Sequence, residues 1–166
     1  MITMICAMQA NNRGIGYDNK LLYKIPADLK RFKQKTMENP NMIMGRKTFQ
    51  SFEGRMLPER EHIVLSKNER DFPPEVTHLT SMEQLLKLIS NPGNYSVIGG
   101  ESLYRDLMPY TDIIELTVIS VGEEKPADAF FPEIDPEMFT MTRSTTPVLE
   151  DSEQCFYWYE TYTRTR

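Results

Sequence analysis

Hydrophobic positions along the chain fall into short apolar runs separated by amphipathic stretches. The apolar runs predict strands at Ile2 to Met8, Met42 to Met44, His62 to Ser66, Tyr95 to Ile98 and Asp112 to Ile119. The amphipathic stretches predict helices at Pro26 to Thr36, after Gly45, after the capping-box signature Ser81-Met82-Glu83-Gln84, and at Glu101 to Met108. Strands that alternate with helices are typical of a mainly parallel sheet covered on both faces.

The alternation stops after Ile119. From Phe139 onward, aromatic-rich stretches that include Cys155 to Tyr159 predict the two strands of an antiparallel hairpin at one edge of the sheet. The 166 residues contain no repeat, linker or low-complexity tract, and this length suits one domain with one core. We therefore expect a single α/β domain over residues 1–166.

Composition excludes several classes of function. A net charge of −5 argues against a nucleic-acid partner. Cys6 and Cys155 lack metal or redox spacing, so we expect two reduced core thiols. The segment Met1 to Ile5 lacks the basic lead and cleavage site of a signal peptide, and no apolar run approaches the ~20 residues of a membrane span. These features predict a cytoplasmic protein with no membrane contact.

Positive charge is concentrated in one part of this acidic chain. Residues 20–67 carry eleven Lys or Arg against five acids, whereas the remainder carries eight against nineteen. A local excess of cations favours a small anionic ligand over a polymer. A solvated basic face is the alternative, and charge counting alone does not separate the two.

Familiar catalytic motifs are missing from the sequence. His62 and His78 are the only histidines, and no HExxH, CxxC or GxSxG motif occurs, so we expect neither a metal site nor a serine nucleophile. The Gly14-Ile15-Gly16 segment lacks the third glycine of a dinucleotide fingerprint, and no P-loop is present.

Three segments that could hold an anion follow predicted strands, where open α/β sheets bind ligands. They are Gly45-Arg46-Lys47-Thr48, Leu65-Ser66-Lys67 and Ile98-Gly99-Gly100-Glu101-Ser102. Glycine allows a phosphate to approach the main chain, and the basic side chains add charge. Each segment also has a structural interpretation: a capped helix with exposed bases, an ordinary loop, and a tight turn.

Asp28 lies in the first turn of the predicted helix over Pro26 to Thr36. The helical period places Leu29 and Phe32 toward the core and, toward water, Lys30, Arg31, Lys33 and Lys35. Burial of Asp28 beside Phe32 would raise the pKa of the carboxyl toward values useful in proton chemistry. The alternative is a solvated carboxylate that the helix dipole favours.

The order of motifs along the chain resembles dihydrofolate reductase from end to end. The matching segments are Arg13-Gly14-Ile15-Gly16, Ile25-Pro26-Ala27-Asp28-Leu29 with Phe32-Lys33 and Thr36, Ile43-Met44-Gly45-Arg46-Lys47-Thr48-Phe49, Leu57-Pro58-Glu59-Arg60, Ile63-Val64-Leu65-Ser66, Val97-Ile98-Gly99-Gly100 with Tyr104, Leu116-Thr117 and Asp128-Ala129-Phe130-Phe131-Pro132.

The resemblance implies a fold and a reaction. The expected fold is a central mixed, mainly parallel eight-stranded sheet with an antiparallel C-terminal hairpin and about four flanking helices. The expected enzyme is an NADPH-dependent oxidoreductase that reduces 7,8-dihydrofolate to 5,6,7,8-tetrahydrofolate, for one-carbon metabolism and thymidylate, purine and amino-acid synthesis. Antifolates are the expected inhibitors, and a cytoplasmic monomer without an obligate protein partner is the family default.

The resemblance also assigns residues. In the family pattern the catalytic residues would be Asp28, which accepts hydrogen bonds from the pterin, Thr117, which supports it, and Tyr23, which stands in place of a tryptophan and could still offer its O–H to an ordered water. Residues of the substrate pocket would be Ile5, Cys6, Ala7, Leu29, Phe32, Phe52, Leu57, Arg60 and Ile98, with Arg60 on the glutamate tail. Cofactor-binding residues would be Ala7, Ile15, Gly16, Asn19, Gly45, Arg46, Lys47, Thr48, Ser51, Leu65, Ser66, Lys67, Ile98, Gly99, Gly100, Glu101, Ser102, Leu103 and Tyr104. The Gly99-Gly100 peptide would be cis.

The chain departs from the family in two loops. Leu22-Tyr23 stands where the family has Pro-Trp, within a loop over Ile15 to Lys24 that we expect to close on the nicotinamide. Losing the proline predicts a freer loop. Ala127-Asp128-Ala129 stands where Gly-Asp-Thr is usual.

Two other functions remain open on the sequence. One is a related reductase that acts on a pyrimidine or another pterin, and Arg60 argues against it because a substrate without a glutamate tail has no use for this residue. The other is a non-catalytic nucleotide-binding module.

Overall fold

The structure, a computed structural model, describes residues 1–68 and 72–165. Its strands are β1 (Ile2–Gln9), β2 (Gly14–Gly16), β3 (Asn41–Gly45), β4 (Glu61–Leu65), β5 (Val76–Leu79), β6 (Tyr95–Val97), β7 (Ile113–Ser120), β8 (Ala129–Phe130), β9 (Phe139–Ser144), β10 (Val148–Glu150) and β11 (Cys155–Arg164). Its helices are α1 (Pro26–Glu38), α2 (Arg46–Gln50), α3 (Met82–Ile89) and α4 (Glu101–Leu107). Within these described ranges, no helix is long and apolar enough to span a membrane.

One large sheet organises the molecule, in the strand order β10-β11-β7-β1-β6-β3-β4-β5. The strands from β7 to β5 pair in parallel, and β11 pairs with β7 antiparallel. Both β9 and β10 pair antiparallel with β11, at 160–164 and 155–157 respectively, so they share one edge and the sheet is eight strands wide. The predicted mixed, mainly parallel sheet with a C-terminal hairpin is confirmed.

The core lies where the central strands meet α4. Met4, Val97, Leu107, Ile114 and Leu116 have no exposed surface, and they come from β1, β6, α4 and β7. Their apolar runs are unbroken because these strands are covered on both faces. Both cysteines carry free thiols; Cys155 is buried, whereas Cys6 is only partly buried.

Helix α3 begins as its capping signature predicts. The Ser81 hydroxyl accepts a hydrogen bond from the N–H of Gln84 at 3.2 Å, which satisfies one of the free donors of the first turn. Helix α1 has no such side-chain cap and starts with Pro26, whose missing N–H costs nothing at this position.

The faces of α1 differ from the sequence prediction at two positions. Leu29, predicted to face the core, is 42% exposed, and Arg31, predicted to face water, is largely buried in an ion pair with Glu115 of β7. The prediction was wrong because a helical period assigns every charged residue to water. It cannot include a carboxylate supplied by a strand 84 positions away.

Candidate active site

The three predicted anion-binding segments lie side by side. Strands β6, β3 and β4 are neighbours, with Ile43 in register with Val97 and Gly45 in register with Leu65. The segments that follow these strands therefore meet along the carboxyl edge of the sheet. Ligands of open α/β sheets bind at this edge.

Glycine main chain forms the centre of this edge. The Gly99-Gly100 peptide is cis, as the family resemblance implied, and Gly99 has a φ of 120°, in the region that favours glycine. The N–H of Gly45 donates to the carbonyl of Gly99 at 2.9 Å, which joins the ends of β3 and β6. A Cβ on Gly100 would meet no atom within 4 Å, so the main chain borders open space that a ligand can approach.

Basic side chains follow the ends of the two neighbouring strands, β3 and β4. Arg46 is half-buried, Lys47 and Lys67 are exposed, and none of them makes an ion pair with a residue that the structure describes. Ser66 is buried at the end of β4, and its hydroxyl donates to the carbonyl of Asn68 at 3.2 Å. Hydroxyl, guanidinium and ammonium groups beside open glycine main chain are a donor set that fits the phosphates of a dinucleotide.

Other predicted cofactor residues are held by contacts within the protein. Glu101 Oε1 accepts from the N–H of Phe130 at 2.8 Å, and the Tyr104 hydroxyl donates to the carbonyl of Ile5 at 2.7 Å. The side chain of Leu103 is buried in the core, which leaves its main chain alone for a ligand. Ser51 and Asn19 are exposed.

Asp28 reaches across from α1 to the central sheet. The hydroxyl of Thr117 on β7 donates to Oδ1 of Asp28. Burial raises the pKa of Asp28, while the Thr117 hydrogen bond and the Arg31 charge oppose that rise. The solvated alternative is thereby excluded, because the carboxyl is half-buried and tied to a strand.

Four apolar side chains predicted for the substrate pocket pack in one cluster, and one of them, Phe32, lies one helical turn beyond Asp28 on α1. The cluster holds Phe32, Phe52, Leu57 and Ile98, from α1, the segment after α2 and the end of β6. Ala7 of β1 is in register with Thr117, so the predicted residues Ile5 to Ala7 run next to the strand that supports Asp28. The sequence brought these positions together only through the family resemblance, and the fold places them in one region.

Arg60 is fixed at the end of the segment that carries Leu57. Its Nη1 donates to the Thr36 hydroxyl at 2.9 Å, and its Nε donates to the carbonyl of Pro58 at 3.0 Å. His62, two residues after Arg60, also binds this segment: its Nε2 accepts from the N–H of Leu57 at 3.0 Å. Residue types gave no sign of this part played by His62.

The hydroxyl of Tyr23 has a partner within the protein. The side chain is buried, and its hydroxyl donates to Oε1 of Gln9. Gln9 is fully buried. Its Oε1 also accepts from the N–H of Lys125 at 2.8 Å, and its Nε2 donates to the carbonyl of Lys125 at 3.0 Å. A buried amide must satisfy its donors and acceptors, and the phenol is one of the partners within reach.

The C-terminal end of the loop over Ile15 to Lys24 makes contacts with two charged side chains. Lys125 Nζ donates to the carbonyl of Leu22 at 2.6 Å, lies 4.4 Å from the centre of the Tyr23 ring, and pairs with Glu153 at 3.4 Å. Glu153 in turn accepts from the N–H of Lys24 at 3.2 Å. We call Lys125 and Glu153 the loop clamp.

The other end of this loop pairs with β8. The strands β2 and β8 form a small antiparallel sheet, and Oδ2 of Asp128 accepts from the N–H of Asp18 at 3.0 Å. A Cβ on Gly14 would lie 2.6 Å from the Cβ of Ala127, so the two loops pack in direct contact. Asp128 therefore keeps a loop contact although its neighbours depart from the family pattern.

Comparisons with known proteins agree with this geometry. The family described as dihydrofolate reductase matches residues 1–164. The dihydrofolate reductase of Bacillus subtilis is 37% identical over 98% of this chain and 94% of its own, and that of Haemophilus influenzae is 38% identical over 81% of each. The Enterococcus faecalis dihydrofolate reductase, solved with NADP(H) and RAB-propyl, superimposes with a TM-score of 0.87 at 33% identity, covering 100% of this chain and 97% of that one. The chain therefore belongs to the dihydrofolate reductase family.

Proposed function

We propose that this protein reduces 7,8-dihydrofolate to 5,6,7,8-tetrahydrofolate with NADPH. The observation that carries the proposal is the Asp28 carboxyl, held by Thr117 beside a cluster of apolar side chains. A carboxylate offers several acceptor sites, and the two parallel N–H groups on the amidine-like edge of a pterin need two of them. An acid in an apolar pocket thus fixes both the position and the orientation of the ring.

The walls of the pocket suit the rest of the substrate. Ile5, Cys6 and Ala7 would lie along the pterin, and Phe32, Phe52, Leu57 and Ile98 would enclose the benzoyl group. Leu29, which is 42% exposed, is available to pack on the same group. Arg60 would bind the glutamate tail, because its planar guanidinium matches a carboxylate and is already held by Thr36 and Pro58.

Asp28 would assist protonation without donating the proton itself. Bound to the amidine edge, its negative charge raises the proton affinity of the nearby imine nitrogen. Water delivers the proton, because the carboxylate is already occupied by the edge of the ring. Burial, which raises the pKa of Asp28, also keeps solvent from screening its field.

The carboxyl edge of the sheet would hold the cofactor. When bound, NADPH supplies the hydride. Arg46, Ser66 and Lys67 would bind the 2′-phosphate, Lys47, Thr48 and the main chain from Gly99 to Ser102 would bind the pyrophosphate, and the backbones of Ala7 and Ile15 would bind the carboxamide. The remaining residues assigned by the family resemblance would border the same nucleotide: Gly16, Asn19, Gly45, Ser51, Leu65, Ile98, Leu103 and Tyr104.

The same proposal places the protein in a cellular context. A single domain over residues 1–166 would act as a cytoplasmic monomer, with no obligate protein or nucleic-acid partner. Its product would serve one-carbon transfer, and antifolates would compete for the pocket at Asp28.

Purified protein tests the proposal directly. Loss of NADPH absorbance that depends on added 7,8-dihydrofolate supports it, with a reaction without folate as the control. Two results overturn it: turnover with a pyrimidine or a tail-less pterin but not with dihydrofolate, or NADPH binding without turnover on any of these substrates.

A further inference from the structure

An ion pair joins α1 to β7. Arg31 Nη2 is 2.7 Å from Oε2 of Glu115, and the two side chains are only 16% and 9% exposed. The guanidinium carbon of Arg31 also lies 4.0 Å from the centre of the Tyr159 ring. Glu115 accepts from the Thr161 hydroxyl at 3.0 Å and lies 3.8 Å from Nζ of Lys35.

This pair is next to the Asp28–Thr117 hydrogen bond on both elements. Arg31 follows Asp28 by one helical turn, and residues at this spacing lie on the same face of a helix. Glu115 precedes Thr117 by two positions, and such residues share a face of a strand. Two adjacent polar contacts therefore join α1 to β7. One is the Asp28–Thr117 hydrogen bond at the substrate pocket, and the other is the Arg31–Glu115 ion pair next to it.

Glu115 determines where the Arg31 charge is held. Among the described residues Asp28 has no ion-pair partner, although Arg31 is close enough to lower the pKa of its carboxyl. Held between Glu115 and the Tyr159 ring, the guanidinium acts on Asp28 by its field alone, without covering the oxygens that a substrate needs. Removing two charges from water is costly, so packing alone gives no reason for this pair.

Resting on the function proposed above, we propose that Arg31 and Glu115 are positioning residues that set the pH at which Asp28 acts, with Glu115 acting through Arg31. Arg31 favours the ionised form of Asp28, and Glu115 offsets part of that effect while keeping the cation out of the pocket. The working pH of the enzyme thus depends on a pair that does not contact the substrate.

Other titratable groups near Asp28 are neutral at working pH. Cys6 faces it from β1, and Tyr157 and Tyr159 face it from β11. Burial raises the pKa of the Cys6 thiol to about 12 and raises the pKa of both tyrosines. Of the charged groups on α1 and β7, Arg31 acts on Asp28 directly, Glu115 is paired with Arg31, and Lys35 lies near Glu115.

Two substitutions should move the Asp28 titration in opposite directions. Glu115→Gln leaves the Arg31 charge uncompensated, so Asp28 should stay ionised to a pH lower by about 0.5 to 1 unit. Arg31→Met removes the cation and leaves Glu115, so the titration should rise by about the same amount. Arg31→Lys, which keeps the charge, should restore most of the wild-type value.

The test uses two measurements on the same set of full-length proteins. The first is the NMR titration of the Asp28 carboxyl carbon in protein without ligands, and the second is the pH profile of kcat/KM for dihydrofolate. Thr161→Val, which removes a hydrogen bond to Glu115 without changing charge, is the matched control. It should change neither the Asp28 titration nor the pH profile of kcat/KM. Thermal melts establish that each variant is folded.

Shifts of opposite sign in Glu115→Gln and Arg31→Met support the proposal. Titrations that do not move, or that move in the same direction while the melting temperatures fall, overturn it and assign the pair a purely structural role. The NMR titration does not depend on enzyme activity. Absence of dihydrofolate turnover would refute the proposed function, and the titration would still show whether Arg31 and Glu115 act on Asp28.

Discussion

The N–H of Leu57 donates to Nε2 of His62 at 3.0 Å, which links a residue of the proposed substrate pocket to a buried imidazole. Because Nε2 is the acceptor, the neutral ring carries its proton on Nδ1, and Nδ1 has no partner within the described part of the chain. Protonation of Nε2 would abolish the hydrogen bond and leave a charge in an apolar setting between Phe49 and Phe52.

This arrangement predicts a loss of stability in acid. Burial and the nearby Arg60 charge lower the pKa of His62 below its ordinary value of 6.5. The folded state therefore favours the neutral ring, and the stability that His62 contributes is present above pH 6.5 and lost as the pH falls through the lowered value. Urea unfolding at a series of pH values measures this effect. The free energy of unfolding should fall less steeply toward acid pH in His62→Gln than in the wild type. Identical acid dependence would contradict the role of this ring.

Arg60 should control affinity for the folate tail. Arg60→Gln removes a charge-assisted contact of about 1.5 to 3 kcal/mol, which corresponds to a rise in KM for dihydrofolate of about ten- to a hundredfold. The value of kcat should change little, because the tail is remote from the reacting atoms. Turnover of a dihydropterin without a glutamate should be unaffected, and Arg55→Gln, in the same segment, is the matched control. A fall in kcat at constant KM would refute this assignment.

Arg46 should select the phosphorylated cofactor. Arg46→Gln should raise KM for NADPH about tenfold or more while KM for NADH stays near its wild-type value, because only NADPH carries the 2′-phosphate. Arg143→Gln, an exposed arginine on β9, is the control. Equal losses with the two cofactors would show that Arg46 does not contact the 2′-phosphate.

The loop clamp should restrain the end of the loop over Ile15 to Lys24. Lys125→Met removes the contacts with Leu22, Tyr23 and Glu153 together, so amide hydrogen exchange over residues 17–25 should quicken severalfold. Lys87→Met, at an exposed position on α3, should leave that exchange unchanged. Exchange in Lys125→Met as slow as in the wild type would show that other contacts hold the loop.

The sequence predicted the buried strands of the fold and missed four short strands that are largely outside the core. Strands β1, β7 and even the three-residue β6 are buried and form recognisable apolar runs. The strands β2, β5, β8 and β10 have two to four residues and form no such run. Strand β5 is also the edge of the sheet and is only partly buried, so its residues form no apolar run.

The site divides in the same way. Asp28, Arg46, Arg60 and the paired glycines belong to local motifs, and the resemblance located them. The Arg31–Glu115 pair and the Tyr23–Gln9 hydrogen bond join residues from different elements, and their partners are defined only by the packing of α1 on β7 and of the loop on β1. No pattern within one element contains that information.

The role of the Asp28 carboxylate is tested by the activity of Asp28→Asn. Asparagine keeps the size of the side chain but removes the charge, so NADPH should bind with unchanged Kd while kcat at neutral pH falls about a hundredfold or more. Part of that turnover should return as the pH is lowered, because free protons then replace the assistance that the carboxylate gives. Full activity of Asp28→Asn at neutral pH would show that the carboxylate does not assist the reaction.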